Sequence, residues 1–306
     1  MEKIIIDTDI GIDDAFALYY GAKLFDVIGI TTVNGNVPVE MATKNAKLFN
    51  LKNNLNIPVY KGACKPLAID QKEHCFLIHG NDGLGEVYTN SFDAKALNAI
   101  SFMLDALYKN KGEITLVAIG PLTNIALLLL LEPNLKDYVK ELVLMGGAFG
   151  TNGHSGNMSQ FAEFNIYADP HAADIVFRSN LNITVIPLDV TYEVLVTGDE
   201  VLKTNNKFLI DISKFYLDFT MREEGFYGMA VHDALTISYL YNKDLFKCKK
   251  SKVRVATSGM NIGQTMIPQS SMPIVDPNFD NLKEHNLALY VDVQAIKEHF
   301  LKTISK

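Results

Sequence analysis

Four aspartates fall within eight positions near the start of the chain, in DTDIGIDD: Asp7, Asp9, Asp13 and Asp14. Carboxylates this close oppose one another's ionisation unless something neutralises them. One or two could cap the helix that follows, because a carboxylate satisfies free N–H groups and suits the positive end of the helix dipole. Four exceed what capping needs. The remaining chemistries are a hard cation held by several oxygens and a carboxylate acting as a nucleophile or proton carrier.

An EF-hand loop also opens with D-x-D, but it needs a glutamate at its twelfth position. Counting from Asp7 reaches Leu18, and counting from Asp9 reaches Tyr20. Asp7-Thr8-Asp9 also resembles the D-x-D of Mg²⁺-dependent haloacid-dehalogenase-type phosphatases. In that reading Asp7 is the nucleophile and Asp9 the general acid. That family expects Thr or Val where this chain has Gly11, and Asp13 and Asp14 stay unexplained. A hard-cation site accounts for more. A turn at Ile10-Gly11 would fold a strand end against a helix start, so that Asp9 and the Asp13–Asp14 pair face one ion.

Such a site needs elements to hold it, and the sequence alternates short β-branched runs with helical segments. Strands are expected at residues 3–7, 27–33, 59–60, 114–119, 142–145, 183–187 and 287–291. Helices are expected at residues 13–24, 38–51, 94–109, 170–178, 208–224 and 233–241, with one after GPLTN to Leu131 and a closing one to Ile304. Strand–helix alternation with continuous apolar strands implies a mostly parallel, Rossmann-like central sheet flanked by helices. No repeat or low-complexity linker interrupts it, so residues 1–306 read as a single α/β domain. Ligands of such sheets bind at the carboxyl ends of the strands. Asp7 and Asp9, Asn34 and Asn36, residues 119–124, and the glycine-rich stretch from Gly146 would meet there.

Composition removes other classes. A net charge of -7 argues against nucleic-acid binding. The longest greasy stretch, residues 125–131, is too short for a membrane span. No signal peptide is visible, and Cys64, Cys75 and Cys248 form neither CxxC nor a metal-ligand spacing. A reducing cytoplasm is therefore the expected location. Gly146, Gly147 and Gly150 are followed by no GK[ST], so they read as a tight turn and not as a nucleotide-triphosphate loop.

The motifs then match a family in order along nearly the whole chain. DTDIGIDDA, ITTVNGN, IHGNDGLG, LVAIGPLTNIA, LVLMGGAF, AEFNIYADP and AVHDA resemble segments of the inosine–uridine-type nucleoside hydrolases. The usual first motif has proline where this chain has Ile10. The resemblance implies Ca²⁺ held by Asp9, Asp14, Asp233 and the main-chain carbonyl of Ile119, its shell completed by a water and the ribose diol. It implies hydrolysis of the N-glycosidic bond of purine or pyrimidine ribonucleosides. It also implies a homodimer or homotetramer, a property that no segment of the sequence fixes.

Under that resemblance the calcium-bound water is activated by Asp9 as general base. Asp13 grips a ribose hydroxyl, with Asn36 and Asp233 on the diol side. Asn157, Glu163 and Asn165 clamp the rest of the sugar. Amides and carboxylates suit this work because a polyol both donates and accepts. His232 is the candidate for assisting the leaving base, and His79 resembles a base-pocket residue. The chain has no tryptophan, so Phe226 and Tyr227, just upstream of VHD, are expected to line the base pocket or to pack in the core. Asp7 is expected to support the turn by hydrogen bonding. A phosphatase and a non-catalytic ribose-binding relative remain the alternatives.

Overall fold

The computed structural model describes residues 1–268 and 276–305. The chain opens with strand β1 (Lys3–Thr8), helix α1 (Ile12–Leu24), β2 (Asp26–Thr32), α2 (Val39–Asn53) and β3 (Val59–Lys61). Helix α3 (Phe76–His79), β4 (Leu97–Asn98), α4 (Ala99–Lys109), β5 (Ile114–Ala118), α5 (Thr123–Leu131) and β6 (Val139–Met145) follow. Then come α6 (Phe164–Ala168), α7 (Pro170–Phe177), β7 (Ile183–Ile186), α8 (Leu188–Thr191), β8 (Leu195–Thr197) and α9 (Gly198–Lys203). The last part holds α10 (Lys207–Glu224), β9 (Gly228–Ala230), α11 (Ala234–Tyr241), β10 (Phe246–Ser251), β11 (Arg254–Val255), β12 (Thr265–Met266), β13 (His285–Val291) and α12 (Val293–Ile304).

Nine strands form one sheet in the order β10-β13-β7-β6-β5-β1-β2-β3-β4. Every pairing is parallel except β10 against β13. From β1 the chain winds outward through β2, β3 and β4, then returns to β5 on the other side of β1. The winding therefore reverses between β1 and β5, and a crevice opens beyond their carboxyl ends.

Adjacent residues of β1 face opposite layers, as strand geometry requires. Ile4 and Ile6 pack with α1, α10, α11 and α12, whereas Ile5 packs with α4, α5 and α7. Helix α1 is buried from Ile12 to Gly21 because it lies between the sheet and the helices outside it. That explains its apolar residues on all sides.

One expectation changes, and one strand is additional. Residues 94–98 are not helical: Leu97–Asn98 is the edge strand, and the Asn98 side chain caps α4 by accepting the Ser101 N–H at 3.0 Å. The edge strand β10 carries Lys247, Lys249 and Lys250, which hide it from a search for apolar runs. Lysine on an edge discourages pairing with another chain.

Candidate active site

The acidic cluster is built where β1 runs into α1. Asp7 and Thr8 point to opposite faces of the strand. Asp7 Oδ1 accepts from Thr31 Oγ1 at 2.5 Å and Asn124 Nδ2 at 2.8 Å, so it ties β1 to β2 and α5. The turn is held by Thr8 instead. Its hydroxyl donates to Asp14 Oδ1 at 2.5 Å and accepts the Ile10 N–H at 3.2 Å, while the Gly11 N–H donates to Asp14 Oδ2 at 2.7 Å. The expected support by Asp7 is thus corrected to support by Thr8. Asp7 faces away from the site, which leaves the phosphatase reading without its nucleophile. Ile10 has φ +25°, a strained value for a β-branched residue and one that a proline ring does not allow.

Asp9 lies just past the strand. Its Oδ2 accepts the Asn36 N–H at 2.6 Å, and its Oδ1 is buried with no partner among the described residues. A Cβ at Gly35 would stand 2.0 Å from Asp9 Oδ2, so glycine there is required for the carboxylate to fit. Asp233, immediately before α11, brings its carboxylate to the pair from α1. Oxygens of Asp13, Asp14 and Asp233 lie within 4.8 Å of one another. Burial first, and then the Asp14 charge, push the Asp9 carboxyl well above its usual range. Burial and the charges of Asp13, Asp14 and Asp9 do the same to Asp233, and Asp13 is pushed up to about 8. Crowded buried carboxylates and an orphaned carboxylate oxygen are the donor set of a hard-cation site. The Ile119 carbonyl lines the same cavity and accepts from Asn165 Nδ2 at 3.1 Å, with a second lone pair in hand.

Beside the cluster opens a cavity of about 220 Å³ lined by Asp13, Asn36, Asn157, Glu163, Asn165 and Asp233, among others. Glu163 caps α6: Oε1 accepts the Asn165 N–H at 2.8 Å, and Oε2 accepts those of Ile166 and Gly147 at 3.1 and 3.0 Å. Burial nevertheless raises it to about 7. Gly147 reaches Glu163 with φ +83°, a conformation that favours glycine. Asn157 Oδ1 accepts the Phe164 N–H at 2.9 Å. The loop between Gly147 and Asn157 is anchored by buried Asp189, which accepts the N–H groups of Phe149 at 2.8 Å and Thr151 at 2.6 Å.

The cavity also holds His79, beside Gly11 and Asn36, and His232, with Ile78, Tyr192, Tyr216 and Phe219. Nδ1 of His79 accepts the Ile12 N–H at 3.1 Å, and Nδ1 of His232 is 2.7 Å from Thr191 Oγ1. Burial lowers His79 to about 3 and His232 to about 4, so both rings are neutral near pH 7. Tyr192 meets the His232 ring edge-on at 5.0 Å, and Tyr216 meets His79 at 5.9 Å.

Phe226 and Tyr227 are not among the residues that line this cavity, which goes against the first of their two expected places. The chain has turned away after α10 at Gly225. The Phe226 ring covers Gly228, and the Tyr227 ring lies on Gly198 and stays 42% exposed. Tyr216 and Phe219 take their place, three residues apart on one face of α10. That spacing was the available signal, but it does not say which face of the helix meets the site.

Residues 4–298 match the profile of the family described as "Inosine-uridine preferring nucleoside hydrolase". The chain is 34% identical over 317 residues to uridine nucleosidase 1 of Arabidopsis thaliana, covering 100% of this chain and 94% of that protein. Among solved structures, a plant nucleoside hydrolase superposes with a TM-score of 0.93 at 32% identity, covering 99% of both chains. A purine-preferring ribonucleoside hydrolase from Gardnerella vaginalis superposes with a TM-score of 0.90 at 31% identity, covering 99% of this chain and 98% of that one. The ordered motifs, the parallel sheet and these matches agree, and the chain belongs to the inosine-uridine preferring nucleoside hydrolase family.

Proposed function

We propose that the protein hydrolyses the N-glycosidic bond of ribonucleosides, giving free base and ribose, with Ca²⁺ as its cofactor. One observation carries this reading: the buried carboxylates of Asp13 and Asp233, grouped with that of Asp14, line a cavity together with the amides and the carboxylate suited to a polyol, and buried Asp9 keeps an orphaned oxygen beside them. Relatives named for uridine and for purine substrates point to ribonucleosides as the class, and their names divide over the base.

Asp9, Asp14, Asp233 and the Ile119 carbonyl would hold the cation. When bound, it supplies a charge that neutralises the carboxylates, grips the sugar diol and acidifies a water. Asp9 takes the proton from the attacking water as general base. Asp13 and Asn36 bind the diol side. Glu163, Asn165 and Asn157 hold the rest of the sugar as positive charge develops at its anomeric carbon, as in other glycosidic cleavages. His79 and His232 face the base. Asp7 sets the strand from which Asp9 projects. A homodimer or homotetramer in the cytoplasm fits the family resemblance, and no helix among the described residues is long and apolar enough to cross a membrane.

The test is release of reducing sugar from uridine, cytidine, inosine and adenosine with calcium present. Turnover of at least one is expected. Tight binding of all four without release, by folded calcium-loaded protein, would make this a ribose-binding relative and end the proposal.

A further inference from the structure

Both histidines of the cavity have Nδ1 engaged, but by different kinds of partner. A main-chain N–H can only donate, so Nδ1 of His79 accepts from Ile12 and the ring proton sits on Nε2. The partner of His232 is a hydroxyl, which can donate or accept, so the pair alone leaves the tautomer open. The burial of Thr191 resolves it. Thr191 is fully buried at the end of α8, and its Oγ1 has no other hydrogen-bond partner among the described residues. A buried hydroxyl proton needs an acceptor, and Nδ1 of His232 is the one within reach. Thr191 therefore donates, Nδ1 is bare, and the neutral ring carries its proton on Nε2. That nitrogen has no protein partner among the described residues, and His232 lines the cavity. Tyr192, edge-on at 5.0 Å, holds the plane of the ring.

We infer that Thr191 is a positioning residue for departure of the base: its hydroxyl fixes His232 as the Nε2–H tautomer, and that N–H donates a hydrogen bond to the leaving base. The inference rests on the hydrolase reading of this cavity. In the step, the bond between the anomeric carbon and the base nitrogen breaks, and its electron pair goes to the base. Water adds to the carbon and gives its proton to Asp9. The Nε2 proton stays on His232, because losing it would leave an anionic ring beside buried carboxylates. The base takes its proton from solvent after release.

The experiment compares uridine and inosine with 4-nitrophenyl β-ribofuranoside, whose phenolate leaves without help from a donor. In Thr191→Val the ratio of kcat on the nucleosides to kcat on the nitrophenyl riboside should fall about tenfold, the scale of one hydrogen bond to a charge-bearing atom. Thr191→Ser should restore the ratio. Long-range ¹H–¹⁵N spectra of histidine-labelled protein, assigned with His232→Gln, should show a protonated Nε2 in the wild type and mixed tautomers in Thr191→Val. A wild-type spectrum with the proton on Nδ1 overturns the inference, and it decides the matter even where the valine variant does not fold. Equal loss on nucleosides and nitrophenyl riboside in Thr191→Val also overturns it, because a merely structural role behaves that way. Failure of the wild type to cleave any of the three substrates defeats the hydrolase reading beneath it, and the catalytic role of Thr191 falls with that reading.

Discussion

The two ends of the cavity are built on different principles. The sugar end is made at strand and helix termini, and several of its groups are pinned by main-chain N–H groups. Asp9 is held by Asn36, Asp14 by Gly11, and Glu163 by Gly147, Asn165 and Ile166. The base end has one such bond, from the Ile12 N–H to His79, and is otherwise made of side chains meeting side chains: Tyr192 on His232, Tyr216 on His79, Phe219 beside them. Main-chain anchoring fixes position closely, as chemistry at one carbon atom demands. Ring-on-ring packing tolerates exchange of one aromatic for another. The difference teaches where this fold holds its reaction constant and where its base preference has room to vary.

The largest effect should come from the general base at the anchored end. Asp9→Asn should lower kcat by ~10²–10⁴-fold, the range of a lost general base, with the far-ultraviolet circular dichroism unchanged. Asp13→Ala should cost about 1.5–3 kcal/mol in kcat/KM for ribonucleosides, the worth of a hydrogen bond to a charged group. It should also narrow the gap to 2′-deoxyribonucleosides. If the gap stays the same, Asp13 does not read the diol.

Calcium removal tests the anchoring itself. In the metal-free protein, burial holds the carboxyls of Asp9, Asp13, Asp14 and Asp233 above their usual range, Asp13 at about 8. The folded state then keeps protons that the unfolded state has released. Stability of chelated protein should therefore fall as pH rises from about 4 to about 8. Added Ca²⁺ should raise the melting temperature, and more at pH 8 than at pH 5. A melting temperature indifferent to both chelator and pH would remove the cation site.

The smallest effects belong to the base end. Phe219→Ala should lower kcat/KM by about 0.5–1.5 kcal/mol, as for the loss of one aromatic contact, and unequally among bases. Tyr227→Ala should stay within about twofold for every base, because its exposed ring lies on Gly198 outside the cavity. If Tyr227→Ala matched Phe219→Ala, the two ends would not divide where the structure divides them.

The same division explains what could be read in advance. Asp9, Asp13, Asp14, Asn36, Glu163, Asn165, His232 and Asp233 can be proposed from the sequence because each lies in a short motif at an element boundary, where the chain itself fixes direction. Thr8, Thr191, Tyr192, Tyr216 and Phe219 cannot. Thr8 hides in plain sight: strand alternation assigns it, and not Asp7, to the face of α1. Tyr216 and Phe219 lie in a helix whose extent was nearly right, since the expected residues 208–224 became Lys207–Glu224. An amphipathic pattern identifies a buried face without saying what it is buried against. For Phe226 and Tyr227 the two places stay open in the sequence, because nearness to VHD says nothing across the turn at Gly225.

By itself the sequence determined the alternation of strand and helix, the parallel sheet and the residues at its carboxyl edge, because these follow from periodicity and local motif. Tertiary structure decided how close Asp233 comes to Asp13 and Asp14, more than two hundred residues earlier. It also decided which aromatic rings face the cavity and which partner Thr191 meets. The physical reason is the same in each case: these contacts form between elements, and no local pattern encodes the distance between side chains that only the packed sheet brings together.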